Sequence, residues 1–499
     1  MRPVLVTRQG AVRGITGPHG TTCFKNIPYA AAPTDSLRFA PPRPPDAWDG
    51  IRDAGAYGPT APKAPYAPPM DRLIPEVDIP GEEFLNLNVW TPDPSGSASL
   101  PVMVWVHGGA FSNGSGSLSG YDGSAFARDG VVLVTLNYRL GAEGFLHLGP
   151  EDTAPANLGL LDQIAGLEWV RDNIASFGGD PGRVTVFGQS AGAMSIGALL
   201  AMPAAKGLFH RAALQSGAAH HALSTDSAAL IGTRLAALLG VPPTRPDLAA
   251  VPQELLLAAQ QQLRSDMSAR PDPALWGEAA LNLMPFEPVV DRATLPRAPA
   301  EAVADGTAAD VDVLVGCTRD EFRLFTVPTG LAPLVTDELL ERGAAAYGLS
   351  PQGMLTYRAA FPGATPGELL AEIATDWFYR LPALRLAEAQ ARQGARAFVY
   401  EFAWPPLPLG GELGACHAVD VPFVFDNLAD PGFTPLLGDT PPQHLADSMH
   451  AAWVAFATTG DPGWPAYGEH DRTVRNFGSM PTLAHAPREH LRALWDGLR

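Results

Sequence analysis

Gly188-Gln189-Ser190-Ala191-Gly192 closes the segment VTVFGQSAGA (184–193). A serine with a glycine two residues away on each side, after an apolar β-branched run and before a helical pattern, fits a nucleophile elbow. The glycines leave room where strand and helix cross, and the helix start offers unpaired backbone N–H groups to developing negative charge. Upstream, WVHGGAF (Trp105–Phe111) follows another apolar run and strings together two glycines and an alanine. Such a loop can turn backbone N–H groups inward, as an oxyanion hole requires. The chemistry implied is acyl transfer, with a serine hydroxyl attacking a carbonyl carbon. Each motif alone also arises as a plain glycine turn; the strand before and the helix after Ser190 separate the two readings.

Other chemistries find no support. HExxH and G-x-x-x-x-G-K are missing, and so is any Gly-Lys dipeptide, which removes zincin and P-loop readings. His220 and His221 are adjacent, do not share a face and have no further ligands, so they read as surface or pocket-rim residues. Cys23, Cys317 and Cys416 are too few and too scattered for a disulfide framework or a zinc cluster. No metal and no cofactor is expected. With 34 basic against 52 acidic residues the formal charge is −18, and lysine occurs only at 25, 63 and 206. Nucleic acid and anionic membrane, which are bound through Lys and Arg, are therefore poor partners. The N-terminal MRPVLVTRQGAVRG lacks the apolar run of a signal peptide, and no stretch of about eighteen apolar residues exists to span a bilayer. A cytoplasmic protein that takes a small molecule, as a monomer or small homo-oligomer, is expected. The preference for alanine, proline and arginine over lysine suits a GC-rich bacterial genome.

The elements that would position these residues are legible in outline. VMVWV (102–106), VVLVTL (131–136) and VTVF (184–187) are short β-branched runs, and LGLLDQIAGLEWVRDNIASF (158–177) has helical character. Strands alternating with helices predict a mostly parallel sheet covered on both faces, an α/β fold. DVDVLVG, ending at Gly316, and ARAFVYEFAW (395–404) add strands. The first 52 residues read as short strands around a Gln9-Gly10 turn, and proline-dense 57–83 as a long surface loop. Between about 320 and 395 the pattern turns helical and reads as a cap-like insertion within a single 1–499 domain, although length alone suggests two to four domains.

FKNIPYAAAP (24–33), EEFLNLNVW (82–90), VMVWVHGGAF (102–111), NYRLG (137–141), NLGLLDQIAGLEWVRDNIASFGGDP (157–181), VTVFGQSAGA (184–193), LQSG (214–217), FEPVVD (286–291), GCTRDEF (316–322) and CHAVDVPFVF (416–425) occur in this order. Together they resemble the type-B carboxylesterases, the cholinesterase-like α/β-hydrolases, in the style of bacterial para-nitrobenzyl-esterase-like members. The resemblance runs from about residue 5 to 470. It implies an α/β-hydrolase fold, a large mostly parallel sheet flanked by helices with helical cap insertions.

Serine needs a base and the base an orienting acid. Sequence alone does not choose among the twelve histidines. The resemblance implies Ser190, Glu321 and His417, with Asp320 the rival acid, and an oxyanion hole of Gly109, Ala110 and Ala191. Ser216 and Gln189 are expected beside the triad. Phe111, Leu223, Leu283, Met284, Phe322 and Phe325 are candidate pocket residues, each also readable as plain core. Asp420 reads as a helix-capping or loop-stabilising carboxylate.

The sequence also departs from the family. Gln189 stands where glutamate is common, and no tryptophan lies between Tyr57 and Glu83, so choline esters are not the expected substrates. Ala110 and Ala418 replace frequent glycines, which is harmless where φ is negative, and Phe322 follows the acid in place of a common glycine. Cysteines that secreted relatives join would fall near Ala61 and at Phe84; both are missing, which fits a reducing compartment. The leading expectation is a serine carboxylesterase acting on short to medium acyl esters. Amide or carbamate cleavage on the same triad and, from another class, a non-catalytic adhesion module are the alternatives.

Overall fold

The computed structural model describes residues 2–498. The β-branched runs assemble into an eleven-stranded sheet. From one edge its order is Thr482–His485, Thr473–Phe477, Ala397–Phe402, Asp312–Thr318, Arg211–Gln215, Gly179–Gln189, Leu100–Val106, Val132–Leu136, Asn86–Thr91, Thr22–Pro28 and Ile15–Thr16. The strands from Thr473–Phe477 through Val132–Leu136 run parallel. Antiparallel partners close both edges.

Side chains alternate across a strand, so one apolar run feeds two cores. Val102, Val104 and Val106 pack on one face with the helices Leu158–Asn173, Ala191–Leu199 and Leu381–Arg392. Met103 and Trp105 face the opposite side, against Phe187, Phe425 and the helix Gln443–Thr459. Both faces are covered, and that is why these strands read as continuous apolar runs rather than alternating ones.

The N-terminal strands Val4–Val6, Ala11–Arg13 and Ile51–Asp53 form a small separate sheet. The proline-rich segment 57–83 holds only a 3₁₀ turn at Met70–Arg72. It is less superficial than the composition suggests. Thr60, Ala61 and Lys63 are buried, with Lys63 Nζ donating to Thr60 Oγ1 at 3.1 Å and to the Ala61 carbonyl at 3.4 Å. Proline density predicts irregular backbone but says nothing about what later packs over it.

Between 320 and 395 the chain is helical: Asp337–Ala346, Pro351–Ala360, Pro366–Thr375, a π-turn at Asp376–Arg380, and Leu381–Arg392. The last helix lies on the sheet, among the core residues behind Asp312–Thr318 and Ala397–Phe402. Parallel neighbours need such a crossover. No helix among the described residues is long and apolar enough to cross a membrane.

Candidate active site

In a parallel sheet the carboxyl ends of all strands lie on one rim, where ligands of open α/β folds bind. Leu100–Val106 runs into the Gly108–Phe111 loop, Gly179–Gln189 into Ser190, Arg211–Gln215 into Ser216, and Asp312–Thr318 into Asp320 and Glu321. One edge of the sheet thus gathers residues far apart in sequence.

Ser190 sits between the strand Gly179–Gln189 and the helix Ala191–Leu199 with φ 56° and ψ −126°. For a non-glycine residue this is strained backbone, sustained only where the surroundings enforce it. The Ser190 N–H donates to the Gln215 carbonyl at 2.9 Å and the Ser190 carbonyl accepts from the Met194 N–H at 2.8 Å, and the flanking glycines leave the turn room. A Cβ at Gly192 would collide with the carbonyl of Val106, and one at Gly188 would lie 2.6 Å from the same oxygen. Two glycines therefore let the elbow press against the end of the neighbouring strand.

The Gly108–Phe111 loop, the candidate oxyanion loop, is oriented through its carbonyls. His107 Nδ1 bonds the Gly108 carbonyl at 2.8 Å, and the Gly109 carbonyl accepts from the N–H groups of Ser112 at 3.0 Å and Asn113 at 2.8 Å. In a trans peptide the C=O and the following N–H point oppositely. Tying those two carbonyls down turns the N–H groups of Gly109 and Ala110 the other way. Ala191 opens its helix, so its N–H has no intrahelical acceptor. The loop and the elbow are close, since a Cβ on Gly108 would sit 3.1 Å from Ser190 Cβ. Tyr138 stacks on His107 with centroids 4.4 Å apart and donates its hydroxyl to the His107 carbonyl at 2.8 Å. Burial lowers the His107 pKa to about 3, so the ring is neutral and serves as a prop.

His417 and Glu321 meet across ninety-six positions. His417 Nδ1 lies 2.5 Å from Glu321 Oε2, and Glu321 Oε1 accepts the Thr318 N–H at 2.7 Å. The His417 N–H also reaches the Glu321 carbonyl at 3.3 Å. Glu321 is fully buried. Asp320, the rival, faces elsewhere: Oδ2 accepts the Ala415 N–H at 2.8 Å and pairs with Arg319 at 3.3 Å. His417 Nε2, the ring nitrogen not engaged by Glu321, is met at 3.0 Å by Gln189 Nε2.

Several expectations need correcting. Ala110 has φ 52° and Ala418 φ 68°, so both alanines occupy the left-handed region that the missing glycines favour. Each methyl is tolerated at a cost of about 1–2 kcal/mol. Of the two readings of Asp420 the loop-stabilising one is what is seen: its side chain makes no cap bond to the short helix Val421–Val424. It is buried and accepts from Gln215 Nε2 at 3.1 Å and the Tyr400 hydroxyl at 3.0 Å, bracing the His417 loop against two strands. Burial first, then the charge on Glu321, pushes its carboxyl up to about 6. His221 is not a surface residue; it is buried, with Nε2 3.0 Å from the Phe378 carbonyl and its ring 4.5 Å from that of Phe378.

Among the candidate pocket residues, Phe325 lies 5.4 Å from the His417 ring and Phe322 lies 5.3 Å from Phe325. Phe111 packs on Phe145 at 5.0 Å. Leu223 and Met284 are buried, whereas Leu283 is 40 % exposed with φ 55°. Ser216, with φ 53°, is buried and bonds through its N–H to the Gly316 carbonyl at 2.8 Å. Nothing in the sequence marks Tyr379, yet its ring lies 4.9 Å from His417. An aromatic in a helical stretch carries no local sign that it will cover a histidine forty residues on.

A strand–serine–helix elbow, a glycine loop and a His–Glu pair on the rim of such a sheet define an α/β-hydrolase. The family model described as the carboxylesterase family matches residues 1–342 and 357–495, and the chain belongs to that family. It is a carboxylic-ester hydrolase. The chain is 39 % identical to the para-nitrobenzyl esterase of Bacillus subtilis (strain 168), over 98 % of its own length and 97 % of that protein's. It is 36 % identical to the phenmedipham hydrolase of Pseudarthrobacter oxydans, covering 96 % and 95 %. A crystal structure of a Geobacillus stearothermophilus carboxylesterase superposes with a TM-score of 0.87 at 39 % identity, covering 99 % of this chain and 100 % of that one.

Proposed function

We propose that this carboxylesterase works through Ser190, His417 and Glu321. The observation that carries the proposal is the Glu321–His417 contact of 2.5 Å. A carboxylate can only accept, so the neutral ring of His417 holds its proton on Nδ1 and its lone pair on Nε2, where it can act as a base. His417 takes the Ser190 proton as the hydroxyl attacks the ester carbonyl, and Glu321 stabilises the imidazolium. The oxyanion is received by the N–H groups of Gly109, Ala110 and Ala191. The alcohol leaves with the proton from His417, and water then cleaves the acyl-enzyme. Each oxyanion donor is worth about 10²–10³ in rate.

The aromatic wall of Phe322, Phe325 and Tyr379 beside His417 supports apolar esters of short to medium acyl chains as substrates. The name of the similar para-nitrobenzyl esterase points the same way. We read the chain as one domain in which the helices between 320 and 395 shape the pocket mouth. The free, buried Cys23, Cys317 and Cys416 and the absent cysteines at Ala61 and Phe84 support a reducing, cytoplasmic setting.

A fluorophosphonate probe should label the folded protein once, on the peptide that contains Ser190. Ser190→Ala should lose both the labelling and p-nitrophenyl ester hydrolysis, the latter by about 10⁶. Near-normal turnover by that variant would refute the assignment. Comparing p-nitrophenyl esters with matching anilides separates ester from amide cleavage.

A further inference from the structure

The Nε2 lone pair of His417 is the atom that must receive the hydroxyl proton, and it already has a partner. Because Glu321 holds the ring through Nδ1–H, Nε2 is an acceptor, and the nitrogen facing it at 3.0 Å is the side-chain amide of Gln189. An amide nitrogen can only donate. Gln189 is buried beside the nucleophile, and its Oε1 would lie 2.9 Å from a Cβ on Gly108, so the amide is wedged between base and oxyanion loop. A glutamate at this position would be a carboxylate; glutamine is a neutral donor instead.

We propose that Gln189 is a positioning residue that latches the resting base: its amide N–H occupies His417 Nε2 and is exchanged for the Ser190 hydroxyl when substrate engages. This rests on the assignment of Ser190 and His417 given above. The exchange replaces one hydrogen bond by another, so the barrier it adds is small. What the latch achieves is occupancy of the resting lone pair without charge. Glu321 holds the ring through Nδ1, and Gln189 caps Nε2 while adding no carboxylate that would favour the imidazolium. The other titratable groups around the ring are Glu321, Tyr379, Cys416 and Asp420, and a substitution at 189 alters none of them.

The test uses the full-length protein with Gln189→Met, of similar length but without the N–H, and Gln189→Glu. The readouts are phosphonylation of Ser190 by a fluorophosphonate at pH 8 and the pH profile of kcat/KM for p-nitrophenyl butyrate. Freeing Nε2 in the Met variant should speed phosphonylation about 2- to 10-fold, the worth of one neutral hydrogen bond. The Glu variant should move the acid limb of the profile upward by about one pH unit or more, because a carboxylate at Nε2 favours the protonated ring. A merely structural Gln189 would leave the Met variant labelling at or below the wild-type rate. A Met variant that labels no faster than wild type, or a Glu variant whose profile superimposes on the wild type, would overturn the latch. Wild-type protein that fails to label at Ser190 would overturn the catalytic assignment itself, a distinct result.

Discussion

Replacing Glu321 by glutamine changes almost no volume and should nearly abolish catalysis. In the native site Oε1 accepts the Thr318 N–H at 2.7 Å and Oε2 accepts His417 Nδ1–H at 2.5 Å. The amide can keep its oxygen on only one of these donors. If the oxygen stays on Thr318, an NH₂ group faces Nδ1, which must then carry the lone pair. The ring proton moves to Nε2, the nitrogen that should accept from Ser190, and the base is lost. Wrong-tautomer variants of this kind lose about 10⁴ in kcat, or about 5 kcal/mol of barrier. If the amide flips instead, Thr318 N–H confronts an N–H group in a fully buried site, at about 1–3 kcal/mol of stability. The assay is steady-state hydrolysis of a p-nitrophenyl ester beside thermal unfolding, with Asp320→Asn as the control. Asp320 bonds Ala415 and Arg319 rather than His417, so that control should lose thermal stability but less than tenfold in rate. A well-folded Glu321→Gln variant within tenfold of wild type, or a larger loss in Asp320→Asn, would refute the reasoning.

Asp420 predicts a pH-dependent stability. Its folded pKa of about 6 lies above the ordinary 3.8, so its stabilising contribution is complete below the lower value and is lost as pH rises through the higher one. Asp420→Asn should therefore unfold at a higher temperature than wild type at pH 8, by up to about 3 kcal/mol, with the gain vanishing near pH 4 in melting curves. Arg139 and Asp162 form a buried bidentate pair with contacts of 2.8 and 2.7 Å, and Asp162→Ala should cost about 3–5 kcal/mol in denaturant unfolding. Gly192→Ala should abolish soluble expression or activity, because its methyl meets the Val106 carbonyl across the elbow. Cys317 and Cys416 are buried thiols whose pKa values burial pushes up, so iodoacetamide should leave both unmodified until denaturant is added, as read by mass spectrometry.

Local chemistry made much of this protein legible from its residues. The elbow is written in five consecutive positions, since the glycines at 188 and 192 answer to a close approach that any strand–serine–helix turn creates. Continuous β-branched runs announced buried parallel strands for the same kind of reason, as each run must satisfy both faces at once. The glycine pair before Phe111 likewise marked a loop able to expose amides.

Only the tertiary structure decided what depends on two distant segments meeting. Glu321 rather than Asp320 turns toward His417 because the loop after Asp312–Thr318 and the loop carrying Ala415 to Ala418 are brought together by the sheet, and Asp320 is consumed holding that second loop. The positive φ of Ala110 and Ala418 could not be foreseen from alanine, whose own preference is the opposite; packing overrides it. Asp420 read equally as a cap or a loop brace until two strands supplied Gln215 and Tyr400, and segment 57–83 read as a surface loop although Thr60, Ala61 and Lys63 are buried. A residue's type determines which bonds it can make, but which partner arrives is set by the packing of the whole chain.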